Sequence, residues 1–325
     1  MGTPARSRGE GRRYRTGSRG NEETLRDSLN RILWRLFPVF EHFGIHLAPV
    51  HYYSPIPDTR SLKRSPAKFE EEHPMFGIDM RAEKQLTLLK TIVLPYEREY
   101  LTVNGGQFGV DEKAMPSYAP LNALALYAIV RHFQPKLIIE VGSGFSTTVS
   151  ACALVENQKK GVAAGRLIAI DPYPSTKLRR GLEGLSQVIL SRVEEIPGAM
   201  FTELAANDIL FIDSSHTVKI FGDVNYLFLN VLPQLQKGVL IHVHDIFFPM
   251  DYLPHHFFTR GNKQFWQEQY LLHAFLMFNR EFQILLSNSY LHKKYQPELM
   301  HMFPWYHTER WPSSFWMVRT KGPDL

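Results

Sequence analysis

Glu140, Asp171, Asp213 and Asp245 each stand at the end of a short apolar run, in the segments LIIE, LIAID, ILFID and VLIHVHD. His216 and His244 lie beside the last two, and the turn Gly142-Ser143-Gly144 follows the first. A single acid in such a place usually caps a helix or solvates a loop. Four in succession place carboxylates along one edge of a parallel sheet, where open α/β folds bind their ligands. The glycines allow a ligand to approach the backbone, and the residues after them can open a helix with free N–H groups. Thr147 occupies the position where the dinucleotide fingerprint G-x-G-x-x-G requires glycine, so a pyrophosphate is not the expected ligand. A carboxylate at Glu140 suits a positively charged amino group better, and Asp171 has a βαβ spacing fit for ribose hydroxyls. Asp213 and Asp245 offer hard oxygens suited to Mg²⁺, and His216 or His244 has the chemistry of a general base.

These residues need a scaffold of alternating strands and helices. Strands are expected at Leu137–Val141, Arg166–Asp171, Val188–Leu190, Asp208–Asp213 and Gly238–Asp245, with a final pair at Phe282–Ser287 and Ser314–Arg319. Helices are expected at Leu121–His132, Phe221–Leu232 and Asn262–Asn279. The pattern is an α/β doubly wound, mostly parallel sheet with one antiparallel strand. The period of two sends His242 and His244 to the face opposite Ile241 and Val243, with His242 the deeper and expected as a hydrogen-bonded core residue. Asp223 is a candidate for orienting His216.

Before this domain, residues 21–114 read as a mostly helical N-terminal lobe. Leu25, Leu29, Ile32, Leu33 and Leu36 fall at helical spacing, with Pro38 as the expected stop or bend. A second helix is expected after Asp79 as its cap, closing at Leu94-Pro95. The expected domains are therefore a disordered basic tail (1–20), the helical lobe (21–114) and the α/β domain (115–325). Of the 37 basic and 32 acidic residues, six arginines and one glutamate lie in the first twenty, which leaves 31 of each sign in the rest. The net charge of +5 is thus the tail's, and a neutral body disfavours nucleic acid as a partner. No apolar run approaches a membrane span, and no hydrophobic segment follows the basic start. The single cysteine, Cys152, sits in an apolar helical run and permits no intrachain disulfide, so a cytoplasmic setting without membrane insertion is expected.

The runs E-V-G-S-G-F-S-T, A-I-D-P, F-I-D-S-S-H-T and K-G-V-L-I-H-V-H-D resemble the class I S-adenosylmethionine-dependent methyltransferases over residues 115–320. Within them the chain is most similar to the small-molecule branch around catechol O-methyltransferase and the macrolide-sugar methyltransferases. That resemblance implies a Rossmann-like fold and S-adenosylmethionine as cofactor, with Glu140, Gly142, Ser143 and Gly144 holding its methionine part. It implies Asp171 on the ribose, Glu194 beside the adenine and Asp213 in the cofactor-binding set. The expected reaction is methyl transfer to a hydroxyl of a small molecule or glycoside, and a homo-oligomer is compatible with it. In metal-dependent relatives the acids matching Asp213 and Asp245 hold Mg²⁺, but Ile246 stands where a further ligand is common. Two other readings use the same residues. His216, His244 and one acid form a two-His-one-carboxylate iron set, as in cephalosporin-hydroxylase-like oxygenases. The basic tail would instead guide a methyltransferase to RNA or protein. The intact glycine loop argues against the first and the neutral body against the second.

Overall fold

The computed structural model describes residues 19–103, 118–259 and 263–322, with backbone alone for 19–27. Contacts divide the chain into residues 1–64 and residues 65–325. Residues 1–18 of the expected basic tail fall outside the described residues, as does the boundary expected at 114/115, whereas Arg19 and Gly20 already belong to a helix. In the first unit a helix runs Arg19–His42, and a five-residue helix, Thr59–Lys63, is capped by the Asp58 carboxylate on the Arg60 N–H. The longer helix continues through Pro38, where a stop or a bend was expected, so Pro38 does not end it.

The second unit is built on seven strands: β1 (Leu137–Val141), β2 (Arg166–Ile170), β3 (Gln187–Ile189), β4 (Ile209–Ile212), β5 (Leu240–Val243), β6 (Phe282–Ser287) and β7 (Phe315–Arg319). Their order is β3-β2-β1-β4-β5-β7-β6. β1 to β5 pair in parallel, and β7 runs antiparallel to both β5 and β6. This is the Rossmann-like sheet with one antiparallel strand that the sequence implies. Strand order reverses between β1 and β4, and the carboxyl ends beside that switch point carry the acids. At the opposite, amino ends Asp208 locks the register of β1 and β4, accepting the N–H groups of Lys136 and Leu137 at 2.9 Å each.

Two buried cores cover the two faces. The helix Pro120–Phe133 packs with Phe145–Lys159 on Ile138, Phe211, Leu240 and Trp316. On the other face Ile139, Leu210, Ile241 and Met317 meet Val224, Leu227 and Leu272. The 120–133 helix is buried almost all round, which suits its run of Ala, Leu, Ile and Val. Gln134 ends it in the left-handed region at φ 50°.

Three helices depart from the sequence reading. Arg81, not Asp79, is the N-cap of Ala82–Leu88, while the Asp79 carboxylate accepts the Arg81 N–H at 3.0 Å. Leu94-Pro95 does not close the run. A π-turn at Leu89–Val93 and a 3₁₀ turn at Leu94–Tyr96 carry it into a further helix, Glu97–Thr102. The same device recurs at Asp223–Tyr226, where a π-turn at Leu227–Val231 precedes Pro233. Proline lacks an N–H and crowds the preceding turn, and a widened turn accommodates both. The helix expected over 262–279 forms only at Glu268–Leu276, with residues 263–267 irregular. Among the described residues no helix is long and apolar enough to cross a membrane.

Candidate functional site at the carboxyl ends of the parallel strands

The β1 turn is shaped by contact with its neighbours. Gly142 has φ +88°, and a Cβ there would lie 2.2 Å from the Asp213 carbonyl oxygen. Its N–H donates to Ile170 O, and the Asp213 N–H donates to Val141 O, both at 2.9 Å. Gly144 is different: nothing lies within 4 Å of a Cβ placed on it. Gly142→Ala should therefore destabilise the protein by several kcal/mol through strain and overpacking. Gly144→Ala should leave the melting temperature of the ligand-free protein nearly unchanged. Equal losses in the two variants, read by thermal melting, would contradict this account of the turn.

Thr147 closes the turn that a third glycine closes elsewhere. Its Oγ1 accepts the Gly144 N–H at 2.9 Å and so fixes the start of the 145–159 helix. Ser146 Oγ donates to Glu140 Oε1 at 2.5 Å, while Glu140 Oε2 is buried without a partner among the described residues. Burial pushes the Glu140 carboxyl up to about 8, against hydrogen bonds from Ser146 and Thr147 that favour its ionised form. At the end of β2, Asp171 accepts Ser143 Oγ at 2.5 Å and the Tyr173 N–H at 2.7 Å.

Gly142, Ser143, Asp171, Glu194 and Asp213 line one cleft of about 650 Å³, a size suited to a small ligand. Glu140, Gly144, His216, His244 and Asp245 are not among its lining residues. Arg192, Lys219 and Phe221 border it as well, and no short motif marked them in advance.

A second cluster joins the ends of β4 and β5. His216 Nε2 lies 3.2 Å from Asp213 Oδ1 and 3.7 Å from Asp245 Oδ2, and its Nδ1 is 2.7 Å from Glu268 Oε2. Burial alone would push the imidazole down, but hydrogen bonds to Asp213 and Glu268 outweigh it and hold His216 well above the ordinary histidine value. His216 is thus an imidazolium at neutral pH, bridging carboxylates. The expectation of Mg²⁺ on Asp213 and Asp245 does not fit this arrangement, because a cationic ring already lies against both. Among the described residues no group of three or more His, Cys, Asp or Glu side chains is arranged to hold a metal ion.

The backbone supports the cluster at some strain. His216 (φ 55°) and Asp245 (φ 54°) both sit in the left-handed region, a conformation that costs free energy and recurs at functional sites. Asp223 does orient the loop, but through Ser215: its two carboxylate oxygens accept the Ser215 N–H and hydroxyl, each at 2.7 Å. Asp245 accepts Ser313 Oγ at 2.9 Å. His244 Nε2 is 3.6 Å from Asp245 Oδ1, and its ring stacks on Tyr118 with centroids 4.8 Å apart and planes 3° from parallel. Trp266 covers His216 at a centroid distance of 4.6 Å. Glu268, Trp266, Tyr118 and Ser313 are additions to the sequence-derived set. Each is remote in the chain from its partner, and nothing in spacing or periodicity marks it. Cys152 is half-buried in its helix, with burial pushing its thiol up to about 11.

Residues 139–246 match the methyltransferase-domain family. An uncharacterized protein of Archaeoglobus fulgidus is 31% identical over 190 residues, which are 54% of this chain and 81% of that protein. Among solved structures, the chain is similar to the S-adenosylhomocysteine-bound methyltransferase PaMTH1 of Podospora anserina, at 13% identity and a TM-score of 0.40, covering 83% of this chain and all (100%) of that one. It is also similar to the plantazolicin methyltransferase BamL, solved with S-adenosylhomocysteine and a triazolic desmethylPZN analog. There the identity is 13% and the TM-score 0.38, over 75% of this chain and 100% of that one.

Proposed function

Because the chain belongs to one family with the Archaeoglobus fulgidus protein and is a class I S-adenosylmethionine-dependent methyltransferase by its domain, we propose that it methylates a hydroxyl of a small molecule or glycoside. One observation carries the reading: five residues from four strand ends line one cleft, and His244 and Asp245 stand at the next strand end.

When bound, the cofactor supplies an electrophilic methyl group on a sulfonium, and the protein must hold, align and deprotonate the acceptor. The partnerless Glu140 Oε2 supports a site for the cofactor's amino group, and the close turn at Gly142 to Gly144 supports the rest of its methionine part. Asp171 is assigned to the ribose hydroxyls and Glu194 to the adenine side of the cleft, with Asp213 between cofactor and acceptor. Of the two candidate bases, His244 is assigned the role. His216 carries its proton already at neutral pH and serves instead to hold Asp213, Asp245 and Glu268 in place. The iron-oxygenase reading is not favoured, since both ring nitrogens of His216 are engaged by carboxylates. No metal step is proposed.

Calorimetric titration with S-adenosylmethionine tests the cofactor site directly. Wild-type protein is expected to bind, and Asp171→Ala to bind about ten- to a hundredfold more weakly, the loss of hydrogen bonds to a charged group. Formation of S-adenosylhomocysteine with a panel of phenols and sugar hydroxyls then tests the acceptor class, with His244→Ala expected to lower turnover about 10²–10⁴-fold. Absence of cofactor binding by the wild type would overturn the reading of the cleft, and turnover only on amines that of the acceptor.

A further inference from the structure

We infer that His242 is a positioning residue: its Nε2 accepts the proton on His244 Nδ1, 3.1 Å away inside the sheet, and so leaves the His244 Nε2 lone pair for the acceptor side. The inference rests on the reading of His244 as base.

The geometry follows from the strand period. His242 and His244 are two residues apart on β5 and share a face, so their rings meet edge to edge. His242 is fixed from both neighbouring strands. It pairs in register with Phe211 of β4 and Trp316 of β7. Its ring stacks on Phe211 at 3.9 Å and meets Trp316 edge to face at 4.6 Å. A ring held on three sides cannot turn to find another partner. His244 is clamped in turn beneath Tyr118.

The proton count then decides what the pair can do. Burial pushes His242 well below the ordinary histidine value, so it is neutral and carries one N–H. If that proton sits on Nδ1, Nε2 accepts from His244, and His244 Nε2, 3.6 Å from Asp245 Oδ1, carries no hydrogen and can take up a proton that the Asp245 carboxylate then faces. If it sits on Nε2, His244 must carry its own proton on the outer nitrogen and cannot act as a base. His242 Nδ1 is buried without a conventional partner among the described residues. A protonated His244 also needs an acceptor at Nδ1, which only the first arrangement supplies. A carboxylate in this place would orient the ring and raise its basicity together; a neutral imidazole orients it alone.

The test is a two-bond ¹H–¹⁵N correlation spectrum of the full-length, histidine-labelled protein, which shows which nitrogen of each ring bears hydrogen and needs no acceptor. The wild type is expected to show the proton on Nδ1 of both His242 and His244. A proton on Nε2 of His242 overturns the inference. His242→Gln places a carbonyl near the lost Nε2, whereas His242→Phe keeps the stack on Phe211 and removes the acceptor. The Phe variant is expected to lose the single His244 tautomer and at least tenfold in kcat, with S-adenosylmethionine affinity unchanged and the Gln variant restored towards wild type. Equal losses in both folded variants overturn it as well. Should His244→Ala retain methyl transfer, the base assignment fails while the tautomer result stands, so the two failures are distinguishable.

Discussion

Glu140→Gln should make the ligand-free protein more stable at alkaline pH and worse at holding its cofactor. The Glu140 carboxyl is buried, and burial pushes it to about 8 from an ordinary 4.5. Between those values the folded protein holds a proton that the unfolded chain has released, so stability falls as pH rises through that window. At about 1.4 kcal/mol for each pH unit, the loss above pH 8 amounts to a few kcal/mol. Glutamine mimics the protonated acid and carries no such loss. The variant should melt several degrees above wild type at pH 9 and close to it near pH 4. Identical pH profiles for the two proteins would remove Glu140 as the source. Binding adds a second signature. A cofactor amino group, ordinarily titrating at about 7.7–8.0, meets the carboxylate as an ion pair that holds one proton in all. At pH 6 the free partners hold two, so binding releases one. At pH 9.5 they hold none, so binding takes one up. Affinity should therefore peak near pH 8 in the wild type, and calorimetry in buffers of different ionisation heat should show the proton count change sign. Glu140→Gln should lose the proton release at pH 6, and with it the change of sign, and bind about ten- to a hundredfold more weakly.

The parts of the fold legible in the sequence are those fixed by local period. The seven strands fall where runs of three to six residues stand between turn residues, and the acids that end β1, β2, β4 and β5 reach the same sheet edge. The period of two also placed His242 and His244 on one face, and their 3.1 Å contact follows from it. Proline was the least reliable sign. Pro38 lies inside a helix, and Pro95 follows a π-turn whose wider spacing accommodates the missing N–H. The 262–279 helix failed because residues before Glu268 serve the site instead. The Gln267 and Glu268 N–H groups donate to His216 O at 2.8 and 3.1 Å, so a distant loop supplies the start of that helix. No local pattern reveals such a partner. The metal expectation failed for the same reason, since the occupant of the space between Asp213 and Asp245 is the ring of His216 and is held there by Glu268.

That buried pair carries the largest effect expected on stability. His216→Leu should lower unfolding stability by about 3–5 kcal/mol, the cost of leaving a buried charge without its partner. Glu268 has no exposed surface, and among the described residues it accepts, besides His216, only the Ser214 hydroxyl, at 3.1 Å. Without the imidazolium its carboxyl must either take up a proton or stay charged in an apolar setting. Glu268→Leu should cost a comparable amount, since it leaves the cation with Asp213 and Asp245 alone, at 3.2 and 3.7 Å. The double variant, with both charges gone and apolar volume in their place, should recover much of the loss. Urea unfolding of the four proteins gives the coupling energy by a double-mutant cycle, and additive single losses would show that the pair does not act as a unit. Recovery of stability should not bring recovery of the site. The His216 ring also spans the carboxylates of β4 and β5, and no leucine side chain can hold them together. The double variant is therefore expected to melt near the wild-type temperature while binding S-adenosylmethionine more weakly than it. That separation tells a pair retained for the geometry of the strand ends from one retained for stability alone.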